Sequence, residues 1–364
     1  MKKVILVFGT RPEAIKMSPL VLEFLKSNDF ETVVCVTGQH REMLDQVLDT
    51  FEIVPDYNLD IMKDNQKLTD ITANILQGIE KILDKEEPDV VLVHGDTSTT
   101  FAAALACFYK KIPVGHIEAG LRTLNIKSPY PEEFNRQAVG LFADYHFAAT
   151  EKAAQNLITE GKPEETIYIT GNTVIDALKT TVDKNYTHPE LDWAGDSRLF
   201  LVTAHRRENM GEPLENIARA ILKIVEDNEY VKVIYPVHLN PKISEIINPI
   251  IGNHKRIRLI KPLEVLDFHN FVAQSYFVMS DSGGIQEEAP SLGKPVLVLR
   301  DTTERPEGVD AGTLKLIGTE YEDIVREAQR LLDDEDEFER MSKASNPYGD
   351  GHASKRIVEI LTNY

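Results

Sequence analysis

Short apolar runs alternate with longer amphipathic segments along most of the chain. Apolar runs typical of buried strands lie at residues 4–8, 32–37, 89–94, 114–118 and 145–149. Between them, segments such as 13–26 and 68–86 repeat apolar residues at helical spacing. Because strands that alternate with helices build parallel sheets covered on both faces, the pattern predicts an α/β fold.

The same pattern restarts at a strand over residues 199–203, after a polar stretch near residues 171–176. A chain of 364 residues is long enough for two domains, each with its own core. We therefore predict two doubly wound, Rossmann-like domains, over residues 1–173 and 174–352. Ligands of such folds bind beyond the carboxyl ends of the strands, so we expect the site in the cleft between the two domains.

The acidic composition limits the classes of partner. A net charge of −19 disfavours a general role on nucleic acid or anionic membranes, which bind basic surfaces. Cys35 and Cys107 lie in apolar segments and are expected to be buried thiols. With no apolar run of membrane-spanning length, we predict a cytoplasmic protein that binds neither nucleic acid nor membrane.

Several cofactor and metal motifs are absent from the sequence. The first loop, Gly9-Thr10-Arg11-Pro12-Glu13, lacks the glycine pattern of dinucleotide-binding folds, and no phosphate-binding G-x-x-x-x-G-K-[ST] occurs. The ten histidines form no H-x-x-x-H pair and the cysteines no C-x-x-C. We expect neither a cofactor nor a metal.

The segment after the apolar residues 277–279 is the most informative. It reads Ser280-Asp281-Ser282-Gly283-Gly284, and a helix is expected to start directly behind it. Paired glycines let backbone N–H groups approach a ligand closely, and a helix N-terminus favours an anion. The sequence predicts a phosphate-type site at Ser282, Gly283 and Gly284.

Polar side chains also follow other predicted strands. The candidates at or near these strand ends are Arg11, Lys16, Asp96, Glu118, Glu132 and His205. Each has a plainer explanation: Arg11 and Lys16 as surface charges, Asp96 as a helix cap, Glu132 as an acid of a first helical turn, His205 as an ordinary histidine. Glu118 is the hardest to explain in this way, because it ends an apolar strand.

Several longer motifs carry a resemblance to a known family. They are FGTRPEAIKMSP (residues 8–19), VHGDTSTT (93–100), HIEAGLRT (116–123), SPYPEEFNR (128–136), TGNTVIDAL (170–178), TAHRREN (203–209), YPVHLNP (235–241) and SDSGGIQEEAPSLGKPVLVLRDTTERPE (280–307). In this order, and through SKASNPYGDGHAS (342–354), they closely resemble the non-hydrolysing UDP-N-acetylglucosamine 2-epimerases.

The resemblance implies a GT-B-type fold, usually a homodimer, whose final helix (here residues 353–364) packs back onto the first domain. It implies interconversion of UDP-N-acetylglucosamine (UDP-GlcNAc) and UDP-N-acetylmannosamine (UDP-ManNAc) for cell-wall polysaccharide synthesis. The reaction proceeds through elimination of UDP, a 2-acetamidoglucal intermediate and re-addition. By motif, Asp96, Glu118 and Glu132 match the catalytic carboxylates of the family and His205 its catalytic histidine.

The binding residues are assigned by the same resemblance. Ser282, Gly283 and Gly284 would hold the diphosphate, and Glu288 would accept hydrogen bonds from the ribose. The residues expected to face the anion or its sugar are Arg11, Arg305 and, as a weaker candidate, Lys16. Phe268 lies near the uracil or is simply a core aromatic residue.

Many bacterial relatives bind a second UDP-GlcNAc as an activator beside the active site. The residues that match this surface are Gln39, Glu132, Arg206 and His238, together with position 42. Here Glu42 stands where those relatives carry Gln, and Asn65 where they carry Arg. Since an anion is gained and a cation lost beside a diphosphate, we expect activation to be reduced or differently tuned.

Three other functions remain open. A hydrolysing 2-epimerase would use the same glycal chemistry but release free N-acetylmannosamine. A retaining GT-B glycosyltransferase would share the Ser-Gly-Gly and Glu-Glu signature, but it has no need for the three carboxylates together. A non-catalytic UDP-sugar sensor would not need His205 or the carboxylates.

Overall fold

The computed structural model describes residues 1–38, 41–62 and 66–363, and for Arg41 and Glu42 it describes the backbone alone. The strands of this part of the chain are β1 (Lys2–Phe8), β2 (Phe30–Val36), β3 (Tyr57–Asn58), β4 (Val90–His94), β5 (Val114–Ala119), β6 (Tyr145–Ala148), β7 (Ile167–Ile169), β8 (Arg198–Thr203), β9 (Val231–Pro236), β10 (Ile257–Ile260), β11 (Phe277–Ser280), β12 (Val296–Val298) and β13 (Leu314–Leu316).

The helices of the same residues alternate with these strands. They are α1 (Arg11–Lys26), α2 (Arg41–Thr50), α3 (Leu68–Glu86), α4 (Ser98–Lys110), α5 (Glu132–Phe142), α6 (Glu151–Thr159), α7 (Thr173–Thr181), α8 (Pro189–Ala194), α9 (Glu212–Asp227), α10 (Pro241–Ile251), α11 (Val265–Gln274), α12 (Ile285–Ser291), α13 (Pro306–Asp310), α14 (Tyr321–Asp333), α15 (Glu335–Ser342) and α16 (Ala353–Thr362). Short 3₁₀ helices span Glu164–Thr166 and Arg207–Asn209.

The chain divides into two compact units. Unit 1 comprises Met1–Thr180 and Tyr348–Tyr364, and unit 2 comprises Thr181–Pro347. The sheet of unit 1 has the order β3-β2-β1-β4-β5-β6-β7, and that of unit 2 the order β10-β9-β8-β11-β12-β13. Every strand pair in both sheets is parallel, so the predicted α/β class with two parallel sheets is confirmed.

Both sheets reverse their strand order at one place, which is where ligands of doubly wound folds bind. In unit 1 the reversal lies between β1 and β4, which pair in register from Val4 with Val90 to Val7 with Val93. In unit 2 it lies between β8 and β11, with Thr203 opposite Ser280. The loops that follow these four strands contain most of the candidate residues.

Apolar side chains cover both faces of the sheet of unit 2. One cluster joins Phe200 and Tyr235 of the sheet to α9, α10 and α14, and a second joins Leu201 and Phe271 to the opposite side. In unit 1, β1 is buried from Val4 to Phe8, and Ile5 and Val7 pack against residues of α3 and α4. A strand covered on both faces needs apolar side chains in both directions, which explains the continuous apolar runs.

The last helix belongs to unit 1. Asn172 N donates to Tyr348 O over 2.7 Å, and Val174 and Ile175 share a small core with Tyr348. The units therefore group residues 174–180 and 348–352 with unit 1, whereas the sequence analysis assigns them to the second domain. The chain crosses between the units after Thr180 and again before Tyr348.

None of the helices in the described ranges combines the length with the apolar character that a membrane span requires.

Asp176 of α7 caps the N-terminus of α16. Its Oδ1 accepts from Ser354 N over 2.8 Å and its Oδ2 from Ala353 N over 3.2 Å. The residue before the helix, His352, provides no side-chain cap. Asp176 therefore satisfies N–H groups that have no partner within α16.

We expect Asp176→Ala to lower the free energy of unfolding by about 1–3 kcal/mol, because it leaves two backbone donors at a buried helix end without an acceptor. Urea unfolding measures the change. Asp84→Ala is the matched control, since Asp84 lies on the exposed face of α3 and pairs with Lys110 at the surface. Equal unfolding midpoints for the two variants would contradict this role of Asp176.

Candidate active site

The loop after β1 is held by a buried glutamate. Thr10 caps α1, and Glu13 Oε2 accepts from the backbone N–H groups of Gly9 (3.1 Å) and Thr10 (2.8 Å), which is a capping box. Glu13 Oε1 also accepts from the hydroxyls of Thr97 (2.7 Å) and Thr100 (3.2 Å) at the start of α4. The loops after β1 and β4 are thereby joined through one carboxylate.

Asp96 follows β4 but does not cap α4. Thr97 is the cap, and its hydroxyl accepts from Thr100 N. Asp96 Oδ2 instead accepts from the guanidinium of Arg136 in α5 over 2.6 Å, and Asn135 Nδ2 donates to the Asp96 backbone oxygen over 2.9 Å. The capping explanation for Asp96 is therefore wrong, and its carboxylate is directed to a cation.

The charges of two predicted carboxylates, Glu118 and Glu132, affect the pKa of the third, Asp96. Burial raises the pKa of Asp96 above its ordinary value. The charges of Glu118 and Glu132 raise this pKa further, while Arg136 and Lys16 lower it. Asp96 is therefore a carboxyl group that holds its proton to higher pH than a solvent-exposed aspartate.

Glu118 lies in a strained part of β5. Its φ is +61°, in the left-handed region that favours glycine, and the pairing of β5 with β6 shifts register between Ile117 and Ala119. A bulge of this kind redirects a side chain out of the alternation of the strand, and such strain is concentrated at functional sites. The end of the apolar strand thus presents a carboxylate.

Three side chains surround the Glu118 carboxylate. Its Oε2 accepts from the ammonium of Lys16 and, over 2.8 Å, from Asn172 Nδ2. His94 Nε2 lies 3.8 Å from the same oxygen. Burial lowers the pKa of His94 to about 4, so this ring is neutral at pH 7. Lys16 therefore compensates the charge of Glu118.

Glu132 and Glu133 begin α5, and they differ sharply in environment. Glu133 is fully buried and accepts from Thr123 N (3.0 Å), Leu124 N (3.2 Å) and Gln137 Nε2 (2.7 Å), so it holds the loop before the helix. Glu132 is only half-buried. The charge of Glu132 raises the pKa of Asp96.

The predicted cations of unit 1 are placed differently from each other. Arg11 is the first residue of α1 and is half-buried at the end of β1. Lys16 lies one turn further along α1 and contacts Glu118. Lys16 thus accompanies a carboxylate in this structure, whereas the sequence analysis expects it to face the anion.

In unit 2, Asp281 connects the loops after β8 and β11. It is fully buried, and its Oδ2 accepts from the backbone N–H groups of His205 and Arg206, both over 2.8 Å. Asn209 Nδ2 donates to the same oxygen over 3.0 Å. The ring of His205 stacks on that of His238, with centroids 5.3 Å apart.

The Ser-Gly-Gly turn follows β11 directly. Ser282 N donates to Ser280 Oγ over 2.9 Å, and Gly284 precedes the first residue of α12. A Cβ added at Gly283 would lie 2.7 Å from Arg305 Nη1, so a larger residue here would displace the guanidinium from its place against this turn. The turn and a cation are therefore adjacent, as a diphosphate site requires.

Arg305 has an acidic neighbour, Glu287, and Glu288 has a histidine neighbour, His269. Arg305 Nε donates to Glu287 Oε1 over 2.5 Å. Glu288 Oε2 lies 3.6 Å from Nε2 of the buried His269, whose Nδ1 is 2.6 Å from Thr181 Oγ1. The structure thus brings Ser282, Gly283, Gly284, Glu288 and Arg305 together around the start of α12.

Phe268 lies in α11 and is partly buried against the core that contains Phe271 and Val272. This packing favours the explanation of Phe268 as a core aromatic residue. Its role beside uracil stays a prediction.

The residues predicted to bind a second UDP-GlcNAc are only partly described. Gln39, Asn65 and the Glu42 side chain lie outside the described part of the chain. Arg206 and His238 flank His205 in unit 2. The hypothesis of reduced activation therefore stays a prediction.

Residues that the sequence analysis does not single out complete both sites. They are Glu13, His94, Glu133, Arg136, Asn172, Asp281 and His269. All of them except His269 occur inside a quoted motif, but a motif does not reveal which neighbour is buried or what it contacts. Within the described ranges, no group of three or more His, Cys, Asp or Glu is arranged to hold a metal ion.

Comparison with known proteins identifies the family. A family model described as UDP-N-acetylglucosamine 2-epimerase matches residues 23–362. A UDP-N-acetylglucosamine 2-epimerase of Bacillus subtilis is 60% identical over 359 residues, covering 99% of this chain and 94% of the relative. A crystal structure of the Neisseria meningitidis UDP-GlcNAc 2-epimerase bound to UDP-GlcNAc matches with a TM-score of 0.89 and 50% identity over the whole of both chains.

A more distant structure, of the Methanocaldococcus jannaschii UDP-GlcNAc 2-epimerase in complex with UDP-GlcNAc and UDP, matches with a TM-score of 0.81 and 34% identity, again over all of both chains. These full-length matches confirm the predicted fold class and the resemblance found in the motifs. The chain belongs to the UDP-N-acetylglucosamine 2-epimerase family.

Proposed function

We propose that this protein interconverts UDP-GlcNAc and UDP-ManNAc by eliminating UDP to a 2-acetamidoglucal intermediate and adding it back, without releasing the free sugar. The observation that carries the proposal is the placement of Asp96 and Glu118 at the ends of the paired strands β4 and β5, where Glu118 Oε1 lies beside Gly95 and each carboxylate contacts a cation. The charges of Glu118 and Glu132 raise the pKa of Asp96. An enzyme that moves a proton on and off a sugar carbon needs such a group of carboxylates. The relatives named above are called epimerases of this substrate.

The chemistry explains why carboxylates suffice. The hydrogen on C2 of the sugar is not adjacent to a carbonyl, so a carboxylate alone is too weak a base to remove it. When the C1–O bond to UDP breaks, positive charge develops at C1 and acidifies C2–H. The proton goes to a carboxylate, the electron pair of the C2–H bond forms the C1–C2 double bond, and the electron pair of the C1–O bond leaves with UDP.

Inversion at C2 requires that a proton return to the opposite face of the sugar. At least two acid–base groups are therefore needed, one on each face. Asp96 and Glu118 differ in environment: burial favours the protonated form of Asp96, whereas a neighbouring ammonium favours the ionised form of Glu118. The pKa of Asp96 is raised by burial, whereas Glu118 contacts the Lys16 ammonium. We assign the proton transfers to this set, with Glu132 as its third member.

The residues of unit 2 fit the leaving group. Growing negative charge on the diphosphate requires cations and N–H donors, and Arg305 lies against the Ser282-Gly283-Gly284 turn. Glu288 accepts hydrogen bonds from the ribose, and His205 contacts the phosphates or C1. Arg11 of unit 1 contacts the anion or its sugar.

The alternatives differ in what they release. A hydrolysing epimerase would carry out the same elimination but finish by adding water, and the match to the non-hydrolysing motifs argues against it. A glycosyltransferase or a sensor would not require the pairing of Glu118 with Lys16 and Asn172 in a strained bulge.

We expect purified protein with UDP-GlcNAc in D₂O, without added NAD or metal, to produce UDP-ManNAc with deuterium at C2 of the sugar. Proton NMR follows both the product and the exchange. Asp96→Asn should slow the exchange by about 10²-fold or more, because it removes one acid–base group. Asp29→Asn is the matched control, since Asp29 is exposed and directly precedes β2, whereas the catalytic candidates of unit 1 lie at the carboxyl ends of strands or in the loops and helices that follow them.

Other outcomes of the same experiment decide between the alternatives. Free N-acetylmannosamine and UDP would assign the hydrolysing reaction. Binding of UDP-GlcNAc without any turnover would leave the transferase or the sensor. Turnover in Asp96→Asn equal to that of Asp29→Asn would remove Asp96 from the mechanism.

The pH dependence of the reaction should follow the Asp96–Arg136 contact. Because the Arg136 cation lowers the pKa of Asp96, Arg136→Gln should raise that pKa further. The limb of the pH profile of kcat/KM that Asp96 controls then moves to higher pH, whether Asp96 acts as acid or as base. Arg219→Gln, an exposed arginine of α9, is the control. An unmoved profile in Arg136→Gln would contradict the assignment of that limb to Asp96.

We also propose that the protein is a homodimer. Large apolar side chains lie exposed on α4 and α5 of unit 1, among them Phe108 (56% exposed) and Leu141 (77%). They form one surface, because Phe108 contacts Phe142 with ring centroids 5.4 Å apart. Adjacent exposed apolar residues of this size are typical of protein–protein interfaces.

Sedimentation analysis should give the mass of two chains for the wild-type protein. We expect the double variant Phe108→Asp/Leu141→Asp to sediment as a monomer, because two buried charges without partners oppose association. Val54→Asp is the control, since Val54 is 87% exposed elsewhere in unit 1. A dimer that survives the double variant would place the interface on another surface.

A further inference from the structure

Asp281 is a buried acid that the proposed chemistry does not use. It follows β11, and its side chain is fully buried. One oxygen, Oδ2, accepts three hydrogen bonds: from His205 N, Arg206 N and Asn209 Nδ2, over 2.8, 2.8 and 3.0 Å. A carboxylate with three donors on one oxygen holds the loop after β8 in a single arrangement.

The other oxygen of Asp281 has a different surrounding. Oδ1 is buried, and in the part of the chain that the structure describes it has no hydrogen-bond partner. His205 Nδ1 lies 3.7 Å away. At 3.7 Å the two atoms are beyond hydrogen-bond distance. Because a buried carboxylate oxygen without a donor is costly, a rotation of the His205 ring that brings a proton on Nδ1 to this oxygen is favourable.

The two residues are fixed by their strands. β8 and β11 are neighbours in the sheet, and Asp281 N donates to Thr203 O over 3.2 Å. Thr203 and Ser280 are opposite each other in the two strands, and their hydroxyls lie 2.8 Å apart. The sheet and the hydrogen bond from His205 N to Asp281 therefore place the backbone of His205 beside the Asp281 carboxylate.

The other groups that act on His205 are cationic or neutral. Burial lowers the pKa of His205, and His238 and Arg206 lower it too, whereas the charge of Asp281 raises it. His238 stacks on the ring with an interplanar angle of 9°. Asp281 is thus the acidic group that opposes the loss of charge from this imidazole.

We propose that Asp281 is a positioning residue for His205. It keeps the proton of the neutral imidazole on Nδ1, and so leaves Nε2 as the nitrogen that acts on the substrate. This inference deepens the proposed function, on which it rests for the role of His205 in turnover.

The decisive variant is Asp281→Asn. The backbone N–H groups of His205 and Arg206 require an oxygen at the Oδ2 position, so the amide nitrogen takes the place of Oδ1. That nitrogen donates to His205 Nδ1 and moves the imidazole proton to Nε2. We expect kcat to fall by about 10²-fold or more, because His205 then presents the wrong tautomer, while the Kd for UDP changes little.

The tautomer is measured directly by ¹⁵N NMR of histidine-labelled protein without ligand, with His205→Gln to identify the signals. In the wild-type protein we expect the proton of neutral His205 on Nδ1, and in Asp281→Asn on Nε2 with a lower pKa. Asn209→Ala is the matched control: it removes one donor to Asp281 but keeps the carboxylate. It should retain the Nδ1 proton even if the loop is loosened.

Three results would overturn the inference. They are a proton on Nε2 in the wild-type protein, an unchanged tautomer in folded Asp281→Asn, or the same change of tautomer in Asn209→Ala. The first needs only the wild-type protein and the His205→Gln variant that identifies its signals, so it decides the matter even if Asp281→Asn does not fold. Because the NMR measurement needs no turnover, a wild-type protein that fails to epimerise UDP-GlcNAc but shows these tautomers would refute the proposed function alone.

Discussion

Parallel pairing of the central strands is the constraint on which both candidate sites depend. β1 pairs with β4 in unit 1 and β8 with β11 in unit 2, and in each sheet the strand order reverses between these two strands. The loops after the paired strands therefore begin side by side and lead away on opposite sides of the sheet, which leaves room at the strand ends. Residues far apart in sequence, such as Glu13 and Thr97, come into contact there.

Two kinds of acidic residue lie at these strand ends. Glu13, Glu133 and Asp281 are buried and accept from backbone N–H groups, so they hold loops in place. Asp96 and Glu118 are less buried, and each contacts one cation. Donation from backbone N–H groups thus distinguishes the acids that hold loops from Asp96 and Glu118, to which we assign the proton transfers.

Most of the fold could be predicted from the sequence because its signals are local. Apolar runs with buried side chains, as in β1, and helical spacing, as in α3, specify the alternation of elements and hence the parallel sheets. The site was predicted as a set of motifs, since conspicuous residues follow strands. The sequence separated Glu132 from the adjacent Glu133 only through the resemblance, and it did not reveal that Lys16 contacts a carboxylate 102 positions later.

What the sequence by itself determined is therefore the class of fold, the family and the segments that contain the site. Each of these follows from patterns of neighbouring residues. Only the tertiary structure decided which acids are buried, that Glu118 takes a left-handed conformation in a bulge, and that Asp281 lies beside His205. These properties depend on burial and on hydrogen-bond partners from other strands, and both are set by the register of the sheet.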